Sequence, residues 1–232
     1  DLSEKEMKLY ASEVKNTRKR MEELIEEQGF LKAQFELLKL LTRLRQLSID
    51  PRLVYENYTD TSSKTENLMK VLKEVINNGH KVLIFSNFRG ALDLVRKELT
   101  NKGLTSYTID GSVPPKKRQE LVDSFNKDDT NVFLIMLKSG GTGLNLTSAD
   151  IVIHLDLWWN PQAENQATDR THRIGQTKTV EVIKFIAKGT IDEKILELQE
   201  KKKLLSDKLI ENDEIDYTGL SKLDEKDIKI GR

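Results

Sequence analysis

No cysteine occurs in the 232 residues. Disulfides and thiolate metal sites are excluded, and an intracellular protein is the expectation. Proline is scarce too, with four in all and none before Pro51, so no proline interrupts a helix in the first 48 residues. No apolar run approaches the ~18 residues of a membrane span. Neither sign of charge dominates: 38 Lys and Arg stand against 38 Asp and Glu. Bulk charge therefore announces no nucleic-acid partner, and any basic footprint has to be local. His80, His154 and His172 lack metal-ligand spacing, so no metal site is expected. The start, DLSEKEMKLY, is charged and begins without Met, which favours a piece of a longer chain over a signal peptide.

What is present is 37% hydrophobic and 33% charged, enough apolar material for a core beside long solvated helices. Residues 1–55 read as a helical segment. Leu31, Phe35, Leu38, Leu41 and Leu44 recur at spacings of four and three, which predicts one buried helix face. Gly29 separates that helix from a more polar one carrying Arg18-Lys19-Arg20, and Ser48 to Pro51 ends it. Residues 56–66 read as a polar linker loop. Residues 67–210 form the main domain, and the charged, weakly patterned stretch 211–232 reads as a loosely docked tail.

Within the main domain, apolar runs predict strands at Lys81–Phe85, Thr105–Ile109, Val132–Leu137, Ile151–Leu155 and Val180–Ile186. They alternate with helices at Leu68–Ile76, Ala91–Leu99, Pro114–Phe125, Pro161–Thr171 and Ile191–Ile210. Strands that are continuously apolar are buried on both faces, so the fold class is a three-layer α/β domain with a mainly parallel sheet.

Ligands of such sheets bind beyond the carboxyl ends of the strands. Three polar loops start there: Ser86-Asn87-Phe88-Arg89, Asp110-Gly111-Ser112 and Lys138 to Thr142. Each alone is an ordinary turn. Three on one sheet edge, the last rich in glycine whose backbone amides can approach a phosphate closely, make a site. The following helix delivers Gln166, Arg170 and Arg173. Two arginines three apart lie near one helix face, and a planar guanidinium can grip a phosphate with two parallel hydrogen bonds. No G-x-x-x-x-G-K-[ST] loop is present, so this chain does not hold a nucleotide's phosphates by itself. The arginines fit a phosphate bound on another domain.

These stretches carry a resemblance. KVLIFSNF resembles motif IV of the second RecA-like lobe of superfamily-two helicases of the SWI/SNF chromatin-remodelling type. YTIDGS resembles the strand and turn after it, LKSGGTGLNLTSAD motif V, and QATDRTHRIGQ motif VI. LTRLRQLSIDP at 41–51 resembles the junction between the lobes, which leaves 1–40 as inserted helical material. The resemblance covers about 41–200. It implies an ATP-dependent translocase on double-stranded DNA, with ATP and magnesium held mainly by a first lobe absent from this chain. It implies catalytic roles for Arg170, Arg173 and Gln166, and a cleft lined by Gly141, Thr142, Gly143 and Asp169. DNA-facing roles fall to Ser86, Asn87, Arg89, Ser112, Lys138 and Trp159. Leu157 departs from the proline the family often carries before the Trp pair.

Two other classes fit part of this pattern. An RNA helicase lobe shares the fold, but Asp169 stands where those enzymes usually carry glycine. A non-catalytic interaction module would need neither the arginines nor the motif V glycines, and both are intact. Trp158 reads as core. Trp159 reads either as core or as an aromatic presented to a DNA groove. Lys201-Lys202-Lys203 reads as a solvated helix face, while Arg43, Arg45 and Arg52 are either structural or line the interlobe surface.

Overall fold

Ser3 opens the first helix. Its hydroxyl accepts the Glu6 backbone N–H, and the Glu6 carboxylate accepts the Ser3 N–H in return. Helix α1 (Glu4–Gln28) then runs 25 residues, about 37 Å at 1.5 Å per residue. Gly29 ends it with φ 78°, a backbone conformation that a side chain disfavours, and α2 (Phe30–Ile49) packs back along α1. The computed structural model describes residues 1–139, 144–169 and 178–210. The expected tail and parts of the two Gly- and Arg-bearing motifs lie outside the described residues.

The single buried stripe expected on α2 is corrected. Leu41 and Leu44 are buried, but Leu31 and Phe35 are each 80% exposed and Leu38 46%. The buried stripe is Ala33, Leu37, Leu41 and Leu44. Apolar residues are dense enough on α2 to supply two helical stripes, and at the far end α1 covers only one. There Met21, Leu24, Ala33 and Leu37 form a small cluster of their own. At the near end Tyr10, Leu41, Leu44 and Leu47 join Leu157, Ile191 and Ile195 of the main domain.

Past a 3₁₀ turn at Pro51–Leu53, helix α3 (Ser63–Asn77) begins earlier than the polar composition predicts. Ser62 caps it, and Ser62, Lys64 and Thr65 are buried, so the end of the predicted linker is packed structure. Then follow β1 (Val82–Ser86), α4 (Arg89–Asn101), β2 (Ser106–Ile109), α5 (Pro115–Lys127), β3 (Val132–Met136), β4 (Ile151–His154), α6 (Pro161–Thr168), β5 (Glu181–Lys184) and α7 (Ile191–Ile210).

The five strands form one parallel sheet in the order β2-β3-β1-β4-β5. Side chains alternate between its faces. Val82 and Ile84 point toward α3 and α4. Leu83 and Phe85 point toward α5 and α6. That makes three layers, and the central strands β1 and β4 are buried throughout. β5 departs from the expectation of two buried faces. Among the described residues it is an edge strand, paired with β4, and Val182 is 41% exposed. No helix among the described residues is long and apolar enough to cross a membrane.

Candidate functional site

Beyond its carboxyl end, β1 sits between chain segments that leave in opposite directions. After β1 the chain turns onto the α3/α4 face, whereas after β3 and β4 it turns onto the α5/α6 face. Such a reversal opens a crevice at the strand ends. The loop Ser86–Arg89 lies on one side of it, Leu137–Ser139 beside it, and Asp156 to Asn160 across from it.

Asp156 is the centre of this crevice. It follows β4 and its side chain is 2% exposed. Its Oδ1 accepts the Ser86 hydroxyl and the Asn87 backbone N–H at 3.0 Å. Its Oδ2 accepts the Asn87 side-chain amide at 2.7 Å and an Arg45 guanidinium N–H at 3.0 Å. Burial pushes the Asp156 carboxyl up, and the charge of Arg45 and the donors from Ser86 and Asn87 oppose that push. Ser86, expected at the DNA, is 1% exposed and its hydroxyl points inward. It also accepts the Phe88 N–H at 3.1 Å. In this structure the residue shapes the loop. Asn87 is half-buried and likewise directed at Asp156.

The outward groups lie around that centre. Arg89 opens α4 with its side chain 64% exposed and reaches the Asp110 carboxylate at 3.1 Å. Asp110 also accepts the Ser112 hydroxyl and backbone N–H, at 2.5 and 2.8 Å. The Ser112 hydroxyl bond, helped by the charge of Arg89, holds its carboxyl below the usual carboxylate range against the opposing push of burial. Ser112 and Lys138 are exposed, and the Lys138 ammonium stands 5.9 Å from the centroid of the Trp158 ring.

Helix α6 is anchored at its start. Asn160 caps it through the Gln162 N–H at 3.1 Å, and Pro161 holds the first position. The buried Glu164 carboxylate accepts the Trp158 N–H at 2.7 Å and the Gln199 amide at 2.8 Å, and pairs with Lys184 at 2.9 Å. Gln166 and Asp169 are exposed. Arg170, Arg173 and Gly141, Thr142 and Gly143 lie outside the described residues. Trp158 packs partly buried against the α5/α6 side, and Trp159 against the Tyr10 and Leu44 cluster. Trp159 keeps partial exposure. Asp156 and Glu164 escape the sequence reading as site residues, and Arg45, read there as either structural or on the interlobe surface, sits at the crevice. The signal was there for Asp156: it is the first polar residue after the carboxyl end of an apolar strand, the position that brought the other loops to notice.

Fold and loop placement define the class: a RecA-like C-terminal lobe of a helicase. The family described as helicase conserved C-terminal domain matches residues 63–175. The chain belongs to the SWI/SNF type of that family. It is 40% identical over 183 residues to an uncharacterised ATP-dependent helicase of Mycoplasma pneumoniae, covering 78% of this chain and 18% of that one. It is 38% identical to a SWI/SNF-related, matrix-associated, actin-dependent regulator of chromatin of Xenopus tropicalis, subfamily A containing DEAD/H box 1, over 82% of this chain and 19% of that one. The SWI2/SNF2 ATPase core of Sulfolobus solfataricus, solved in complex with double-stranded DNA, superposes with a TM-score of 0.74 at 31% identity, over 88% of this chain and 43% of that one. The chain spans about a fifth of the length of the first two relatives.

Proposed function

We propose that this chain is the second motor lobe of an ATP-dependent double-stranded DNA translocase. The observation that carries the reading is the sheet's carboxyl edge. Exposed Arg89, Ser112 and Lys138 stand at the crevice beside β1, and anchored α6 leads straight into the segment holding Arg170 and Arg173. A solved relative of the same family and fold carries double-stranded DNA, which supports a DNA backbone as the ligand of that edge.

Nucleotide is assigned to the first lobe because this chain has no phosphate-binding loop. Among the described residues no group of three His, Cys, Asp or Glu gathers to hold a metal. Magnesium is assigned to the first lobe together with the nucleotide, as the family resemblance implies, where it would offset phosphate charge. When the cleft closes, water attacks the γ-phosphorus, the bond to the bridging oxygen breaks, and ADP and phosphate leave. Arg170 and Arg173 stabilise the charge on the transferring group, with Gln166, Asp169 and the glycine loop completing the cleft.

The test is Arg173→Ala in the full-length protein, with DNA-stimulated turnover and nucleotide affinity measured side by side. An arginine finger is worth on the order of 10³–10⁵ in rate, so turnover should collapse while ATP binding persists. Lysine should rescue little, since it lacks the two-pronged donor. Full turnover in the alanine form would sink the finger assignment. For DNA, Lys138→Ala should weaken binding and reduce the salt slope by about one unit. A strand-separation assay beside a translocation assay separates this reading from an RNA helicase.

A further inference from the structure

Arg45 has no role in the reading above, yet it is the most thoroughly enclosed cation described in the site. It sits in α2, four residues before that helix ends, with its side chain 4% exposed. One terminal nitrogen donates to Asp156 Oδ2 at 3.0 Å and to the Leu157 carbonyl at 2.6 Å. Its guanidinium carbon lies 5.0 Å from the Phe88 ring centroid, 5.1 Å from Trp158 and 5.8 Å from Trp159. Phe88 belongs to the loop after β1 and the two tryptophans to the turn after β4. One side chain of the hairpin helix therefore touches both walls of the crevice.

The arrangement is costly if stability alone is its purpose. Burial lowers the Arg45 pKa even with Asp156 beside it, and Nε has no hydrogen-bond partner among the described residues. A buried ion pair of this sort is often no more stabilising than apolar residues of the same volume. What it does supply is geometry. A flat cation can stack against several rings while its edge donates to a carboxylate. That carboxylate in turn orients Ser86 and Asn87.

We propose that Arg45 is a positioning residue for DNA engagement: through Asp156 and the ring cage it sets the loop after β1 and the Trp turn in the shape that receives the DNA backbone. A shift of α2 would then move both walls together. This rests on the DNA-backbone reading of the sheet edge.

The test uses the full-length protein and a plain double-stranded DNA, and reads DNA-stimulated ATP hydrolysis. Arg45→Lys keeps the charge but loses the planar stack and the reach to both acceptors. The half-saturating DNA concentration should rise about tenfold, with turnover at saturating DNA within about twofold. Asp156→Asn should act in the same direction. The double variant should be no worse than the poorer single one, because both act on one network. Leu72→Ala, in the core of α3, controls for lost stability and should leave the half-saturating concentration unmoved. An unmoved Arg45→Lys beside a weakened Lys138→Ala would overturn the positioning role and leave the DNA reading intact. If Lys138→Ala is unmoved too, the DNA reading fails and this inference with it. Fully additive effects of Arg45→Lys and Asp156→Asn, or an equal shift from Leu72→Ala, would also overturn it.

Discussion

The loop after β1, S-N-F-R, and the loop after β2, D-G-S, are both short polar turns, and both stand at the carboxyl edge of the same sheet. They are closed by different means. Asp110-Gly111-Ser112 supplies its own carboxylate, and Ser112 folds back onto it from two residues away. Ser86 and Asn87 instead meet a carboxylate 70 and 69 residues further along, on the other side of β1. The first closure is shallow, and its ion-pair partner Arg89 is mostly in water. The second is buried and shares its carboxylate with Arg45. A locally closed loop tolerates change around it. A loop closed from across the sheet makes the fold and the site one object.

The sharpest break in that contrast is Asp156→Ala. It strips a buried guanidinium of its counter-ion and three other donors of their acceptor. Removing one partner of a buried pair costs about 3–5 kcal/mol, and the loss should appear as a lower denaturant midpoint. A loss under about 1 kcal/mol would show that Asp156 is not the centre described.

The β4 end should also respond to pH through His154. This side chain is buried, stacked on Phe85 with centroids 5.6 Å apart, and reaches the Thr168 hydroxyl at 3.3 Å. Burial pushes its pKa from 6.5 down to about 4. Between those values the unfolded chain binds a proton that the folded chain does not. The contribution is complete above pH 6.5 and is lost as the pH falls toward 4, by up to about 3 kcal/mol. Denaturation midpoints at pH 7 and pH 4.5 measure it. His154→Phe should flatten the difference, and an unchanged slope would locate the acid sensitivity elsewhere.

The β2 loop should barely register. Asp110→Asn keeps an acceptor for Ser112 and weakens only a solvent-facing pair with Arg89, so stability should change by less than about 1 kcal/mol. A loss matching that of Asp156→Ala would erase the distinction between the loops. The smallest effect is expected at the hairpin's far end. Phe35→Ser, at an 80% exposed position, should alter stability by no more than about 0.5 kcal/mol. A large loss would mean the side chain is covered in solution.

Much was legible before the fold was known. Every predicted strand from Lys81 onward exists, because short continuous apolar runs such as V-L-I-F, bounded by turn signals, suit buried strands. Gly29 and Gly103 stop helices where their positive φ values require glycine. Boundaries moved where capping intervened, as at Ser62. The stripe on α2 misled because Leu31, Phe35 and Leu38 have the same spacing as a core face, and spacing does not say how many neighbours a helix will have.

By itself, then, the sequence determined what is local. It set the period of each element, the turn that Asp110 closes, the lack of a phosphate-binding loop and the order of the motifs. Tertiary structure alone decided which carboxylate holds Ser86 and Asn87, why Arg45 is buried, and which α2 leucines meet water. The reason is physical. Periodicity and capping act over three or four residues, whereas the partners of a buried charge are chosen by the packing of strands and helices about a hundred residues apart, Arg45 and Asp156 being separated by 111 positions.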